Sequence, residues 1–175
     1  YYSLVRLEKS SFKSRENVKF NSLINKSNEL SIDAFSNLFD YLTYINQLYV
    51  DFDNLLIGIF ESSFQSRIDA KKNYLQNNYF SAISSIKPSF NYSIPYNKYD
   101  KRSNYLEITF ASNTVSIPLT SGEVSIKFLS KAKKYDFNSS GKILFALNNN
   151  VRNQKSPNIE IELNLNKLLN NHLLY

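Results

Sequence analysis

The chain has 175 residues, a net charge of +6 and a 15% share of aromatic residues drawn only from Phe and Tyr. That length suits one domain or two small ones with a real core, and the composition is not that of a disordered chain. With no Cys there are no disulfides, thiolate nucleophiles or cysteine metal sites, and with only 3 Gly there is no glycine-rich phosphate loop. The missing Cys fits a reducing compartment and slightly favours the cytoplasm over secretion, without settling which. Met is absent and the chain starts Tyr1-Tyr2, which reads as a processed, trimmed or excised piece of a longer product. No run approaches the 18 apolar residues expected of a transmembrane helix.

Charge is segregated along the chain. From Asn28 to Ser66 stand six acids (Glu29, Asp33, Asp40, Asp51, Asp53, Glu61) and no Lys or Arg, while the flanks are basic. An acidic apolar segment inside a basic protein offers partners two electrostatically different surfaces.

Residues 1–27 are basic and mixed. Alternation over Tyr2–Leu7 suggests a short strand, Ser10–Arg15 a loop, and Val18, Phe20, Leu23 and Ile24 a short helix or strand. Residues 31–76 carry the strongest period. Phe35, Leu38, Leu42, Ile45, Tyr49, Phe52, Leu56 and Ile59 step by three and four, which places them on one helical stripe. Ser31 is the expected N-cap and Asn77-Asn78 the stop, with a weak point near Ser62, so the segment is one long helix or two. The stripe is either core or a helical assembly surface. Residues 79–103, with Pro88 and Pro95, read as a connector.

From residue 104 the period changes to two. Alternation at Leu106–Phe110, Val115–Leu119, Val124–Phe128 and Ile159–Leu165, with the run Ile143–Leu147, gives about five strands joined by turns at Ser121-Gly122 and Ser139–Gly141. Residues 167–175 suggest a short amphipathic helix. The expected fold is α+β: a helical part over 1–103, then an antiparallel meander, small barrel or half-sandwich over 104–175, as two parts or as one domain.

Chemistry is sparse. His172, the lone histidine, has no triad or metal partner near it in sequence and reads as a packing or surface residue. Asp51 and Asp53 fall on different helix faces. Glu160 and Glu162 share a strand face and, with a distant third acid, would suit Mg²⁺; alone they read as a solvated face. Two basic clusters stand beside tyrosines: Lys98, Lys101 and Arg102 with Tyr96, Tyr99 and Tyr105, and Lys131, Lys133 and Lys134 in an expected loop or bulge. Phosphates pair with such cations and bases stack on such rings, so the clusters suit a single-stranded nucleic acid or an acidic protein partner. The reading these features support is a non-catalytic interaction or structural module of a larger assembly, without a cofactor or metal, and with a protein partner or self-association. A single-strand-binding accessory protein is the alternative, and an enzyme built on carboxylates is the third class.

Overall fold

The computed structural model describes residues 2–55, 62–93, 104–115, 117–128, 131–147 and 158–175. The fold is α+β, with a helical N-terminal part followed by antiparallel strands in two sheets.

The first helix, α1, runs over Tyr2–Asn28. The short strand and loop expected there are replaced by one continuous helix. No Gly or Pro occurs before Gly58, so nothing breaks it. Its buried row is Glu16, Phe20, Leu23 and Ser27, whereas Val18 on another face is 67% exposed. Two polar residues inside and an apolar one outside blur the amphipathic pattern. The Ser27 hydroxyl donates to the Ile24 carbonyl at 2.8 Å, which satisfies it in place.

A 3-10 turn over Ile32–Ala34 follows, then α2 over Leu38–Asp53. The N-cap is Asn37, not Ser31: its side-chain oxygen accepts from the Asp40 N–H at 2.9 Å, while Ser31 makes no side-chain cap bond. Leu38, Leu42, Ile45 and Phe52 are buried, so within this chain the predicted stripe faces the core. Tyr49 and Phe35 are partly buried against it, and Leu56 and Ile59 lie outside the described residues.

The 31–76 segment is therefore two helices. The second, α3, spans Ser62–Ser84 and continues past Asn77-Asn78. Lys72 reaches back to Asp53 at 2.5 Å and sits 4.7 Å above the Tyr49 ring, which ties α3 to α2. Phe20 packs edge-on against Phe64 at 5.2 Å, with the Arg67 guanidinium 4.9 Å above its ring, and these contacts bring α1 onto the same pair. At the end of α3 the Ser84 and Ser85 hydroxyls donate to the carbonyls of Ser81 and Ala82, and the Ser85 N–H also donates to the Ser81 carbonyl.

One residue later the chain is a strand. β1 (Ile86–Ser93) occupies part of the expected connector and pairs antiparallel with β2 (Asn104–Ser112) along eight residue pairs, across the expected 103/104 boundary. On its other edge β2 takes β3 (Pro118–Leu119) and β6 (Ile143–Leu147) in series. The second sheet has the order β5 (Lys131–Asp136), β4 (Glu123–Phe128), β7 (Ile159–Asn164). Seven strands are described, because β1 and β5 join the five expected runs. A short helix, α4 (Asn166–Leu169), leads into the C-terminal tail.

The inner rows follow from register. Ile108 and Phe110 share a face with Ile143, Phe145 and Leu119, and Val124 and Ile126 share one with Ile161 and Leu163. Edge-on contacts Phe110–Phe137 at 5.9 Å and Tyr135–Phe145 at 5.9 Å bring the two sheets together. The bundle and the sheets share one contiguous core.

Two substitutions separate packing from capping. Ile45→Ala empties a fully buried site on α2 and is expected to cost about 2–5 kcal/mol. Asn37→Ala removes only the cap and is expected to cost about 1 kcal/mol. Urea unfolding of both variants measures the difference; equal losses would mean that α2 is not anchored by its buried row.

Candidate functional site

Among the described residues the two sheets do not close on each other along the side bounded by β1 and β7. A cleft of about 500 Å³ lies there, lined by Ile83, Ile86, Pro88, Phe110 and Tyr175 and by the consecutive residues 161–166. Successive strand side chains point to opposite faces. Consecutive residues of β7 can line one cleft only if the backbone edge of the strand faces it. Among the described residues β7 pairs with β4 alone and β1 with β2 alone, so both are edge strands. Pro88 belongs on such an edge, because it cannot donate to a further neighbour. Phe90 lies on the inner row of β1, opposite Ile108, yet is 55% exposed. Ile86 on the same row is partly buried against the core, whereas Pro88 and Phe90 are exposed.

The floor of the cleft is apolar and its rim polar. On β7, Ile159, Ile161 and Leu163 take the inner row, and Glu160, Glu162 and Asn164 the outer one. Glu160 accepts from Lys127 on β4 at 2.9 Å, while Glu162 has no cation among the described residues. At the far end the Tyr175 hydroxyl donates to Asn166 Oδ1.

The tail beside this cleft is fastened to the helices. His172 Nδ1 lies 2.8 Å from the Tyr79 hydroxyl and Nε2 3.4 Å from Thr43 Oγ1, and the ring stacks on Phe39 at 6.1 Å. Tyr79 is fully buried, and burial pushes its hydroxyl well above the ordinary tyrosine value. It therefore stays protonated and shares one hydrogen bond with Nδ1. Leu174 N–H also donates to Asn46 Oδ1 at 3.3 Å. The lone histidine is a packing residue. Its partners lie 93 and 129 positions away, which is why none was visible near it in sequence.

The basic residues take other positions. Lys131, Lys133 and Lys134 stand on strand β5, not in a loop or bulge, and all three are exposed. Lys131 and Lys133 fall on the inner row with Tyr135, and Lys133 sits 5.3 Å above the Tyr135 ring. Lys134 bonds Glu123 at 2.7 Å, as does Lys167 at 2.8 Å, and these two cations hold the Glu123 carboxyl below its ordinary range. Tyr105 is half-buried on the outer row of β2, in the other sheet. Tyr96, Lys98, Tyr99, Lys101 and Arg102 lie outside the described residues. Asp51 accepts from Gln47 and Asp53 from Lys72, on separate bonds.

No group of three or more His, Asp or Glu side chains converges to hold a metal ion among the described residues, and none of their helices is long and apolar enough to cross a membrane. No known protein family, characterised protein or solved structure matches the chain.

His172 predicts an acid-side loss of stability. Burial holds its pKa below the ordinary 6.5, so the fold prefers the neutral ring. Above 6.5 that contribution is complete. As pH falls from 6.5 through the lowered folded value, the unfolded chain takes up the proton first and stability drops. Urea unfolding between pH 7.5 and 5.5 is expected to show this slope in the parent chain, and His172→Gln is expected to flatten it. An unchanged slope in the variant would remove His172 as its source.

Proposed function

We propose that the chain is a non-catalytic interaction module of a larger assembly, and that it receives an extended polypeptide along the β1–β7 side. The observation that carries this reading is the cleft with the backbone edge of β7 along one wall. An unpaired edge offers a row of N–H and C=O groups, and proteins normally blunt or cover such edges. Strand addition satisfies them, at about 0.5–1.5 kcal/mol net for each hydrogen bond. The apolar wall adds to this: covering one Phe, Ile or Leu side chain contributes roughly 1.5–3 kcal/mol.

The test is a library of extended eight-residue peptides screened against the folded chain, with amide hydrogen exchange mapping where the binders sit. Binders are expected to slow exchange over residues 161–165 and to leave α2 unchanged. Binders that protect the helices instead, or a library without binders, would sink the reading.

A second reading is favoured by β5, whose Lys131 and Lys133 are exposed and form no ion pair among the described residues. Two cations on one strand suit the phosphates of a single-stranded nucleic acid. Anisotropy titrations with mixed-sequence RNA would then show salt-dependent binding. The double variant Lys131→Gln, Lys133→Gln is expected to lower the log–log salt slope by about 1.4, at roughly 0.7 per phosphate contact. A slope that stays the same excludes these lysines as the contact.

A further inference from the structure

The same cleft also specifies the chemistry of its occupant, and this step rests on the strand-addition reading above. We infer that the cleft takes a strand from another protein that alternates apolar and basic residues, with the apolar row turned inward and a Lys or Arg opposite Glu162.

The paired edge of β7 shows what this strand accepts. There, β4 sets Phe128, Ile126 and Val124 against Ile159, Ile161 and Leu163 on the inner row, and Lys127 against Glu160 on the outer row. The Lys127 ammonium closes that pair at 2.9 Å. Two rows, one apolar and one acidic, are thus matched by a strand that is apolar on one face and carries a cation on the other.

The free edge presents the same two rows. Glu162 faces Ser125 across the β4 pairing, so β4 brings it no cation. Several carboxylates that face a neighbouring element are paired: Asp53 with Lys72, Glu107 with Lys142, Glu123 with Lys134 and Lys167. Glu162 borders the cleft with no such partner among the described residues. Across from it the wall is Ile83, Ile86, Pro88 and Phe110. A strand seated there would meet an apolar surface on one face and an unmatched negative charge on the other.

Two edge strands of a second copy, β7 and β5, fit less well. β7 against β7 would set its glutamates against one another, and like charges directly opposite are destabilising. β5 places Lys131 and Lys133 on the same row as its Tyr135. Aligned face to face with β7, those lysines would fall against Ile159 and Ile161, where burial of an ammonium without a partner is costly.

The probes are two labelled peptides, Thr-Lys-Val-Lys-Ile-Lys-Val-Thr and its twin with Glu in place of each Lys, titrated by fluorescence anisotropy against the full chain and against Glu162→Gln. Glu162 is exposed, so this variant keeps the fold. The lysine peptide is expected to bind about tenfold tighter than its twin, to slow amide exchange over residues 161–165, and to lose several-fold affinity on Glu162→Gln. Equal binding of the two peptides at β7 overturns the charge assignment and leaves the strand-addition reading standing. β7 amides already slow in the peptide-free monomer, or slowed by a concentration-dependent dimer, overturn the assignment to another protein. If neither peptide binds while a library peptide protects β7, only the inference fails; if nothing ever protects β7, both fail.

Discussion

Helix α3 passes into strand β1 through the single residue Ser85, and the placement of the helices against the sheets depends on that junction. So short a link leaves the bundle little freedom to swing. Side-chain bonds stiffen it further. The Ser85 hydroxyl meets both Ser112 Oγ and Thr114 Oγ1, the latter at 2.9 Å, and Asn113 N–H donates to the Ser85 carbonyl at 3.2 Å. The end of α3 is thereby tied to the end of β2. Ser112 is almost wholly buried, so its hydroxyl needs these partners as much as the junction needs it.

The open side of the sandwich follows from this arrangement. Ile83 near the end of α3 and Ile86 at the start of β1 stand on one wall of the cleft, and β7 with Leu165 and Asn166 stands on the other. The C-terminal tail then returns to the bundle, where His172 meets Tyr79 and Thr43, and Leu174 N–H meets Asn46. Both walls are thus held by the helices, one through the backbone at Ser85 and one through the tail. Drawing β7 toward β1 would require the tail to leave its site on α2 and α3. A gap fixed at both ends is better suited to admitting a strand than a groove that must first be opened, because less ordering is left to be done on binding.

How much of this was legible in the sequence depends on whether local pattern and tertiary role agree. On α2 the three-and-four spacing of Leu38, Leu42, Ile45 and Phe52 coincides with burial, and the helix was plain. On α1 the inner row contains Glu16 and Ser27, whose polarity is absorbed by contacts that spacing does not reveal, such as Lys19 on Glu16 at 2.5 Å. β1 was hidden by its position. Ile86, Pro88, Phe90 and Tyr92 do alternate with Lys87, Ser89, Asn91 and Ser93, but Pro88 in the middle of the run imitates a loop. β5 was hidden by lysines on both rows, a composition that reads as loop but is also how edge strands discourage unwanted pairing. The cleft itself had one signal, the Ile-Glu-Ile-Glu alternation over residues 159–162. Sequence shows that one face of that strand is wet. It does not show that one of its edges is unpaired, because an edge is defined by which strand fails to arrive.

Charge behaves in the same way. Along the chain the acids between Asn28 and Ser66 look like a separate negative surface, and folding supplies one of them with a cation among the described residues. Asp53 finds Lys72 on the next helix, while Asp40 and Asp51 are held by the amides of Asn37 and Gln47 on their own segment. Among the described acids of this segment only Asp53 meets a cation; the amides of Asn37 and Gln47 satisfy lone pairs without cancelling charge. Several carboxylates lack a cation among the described residues, and Glu162 is one of them that borders the cleft. In a chain of net charge +6 there is no shortage of cations to supply a partner for Glu162. Its position at the mouth of an apolar cleft, beside an edge strand whose other acid is already paired, is what the proposed basic strand rests on.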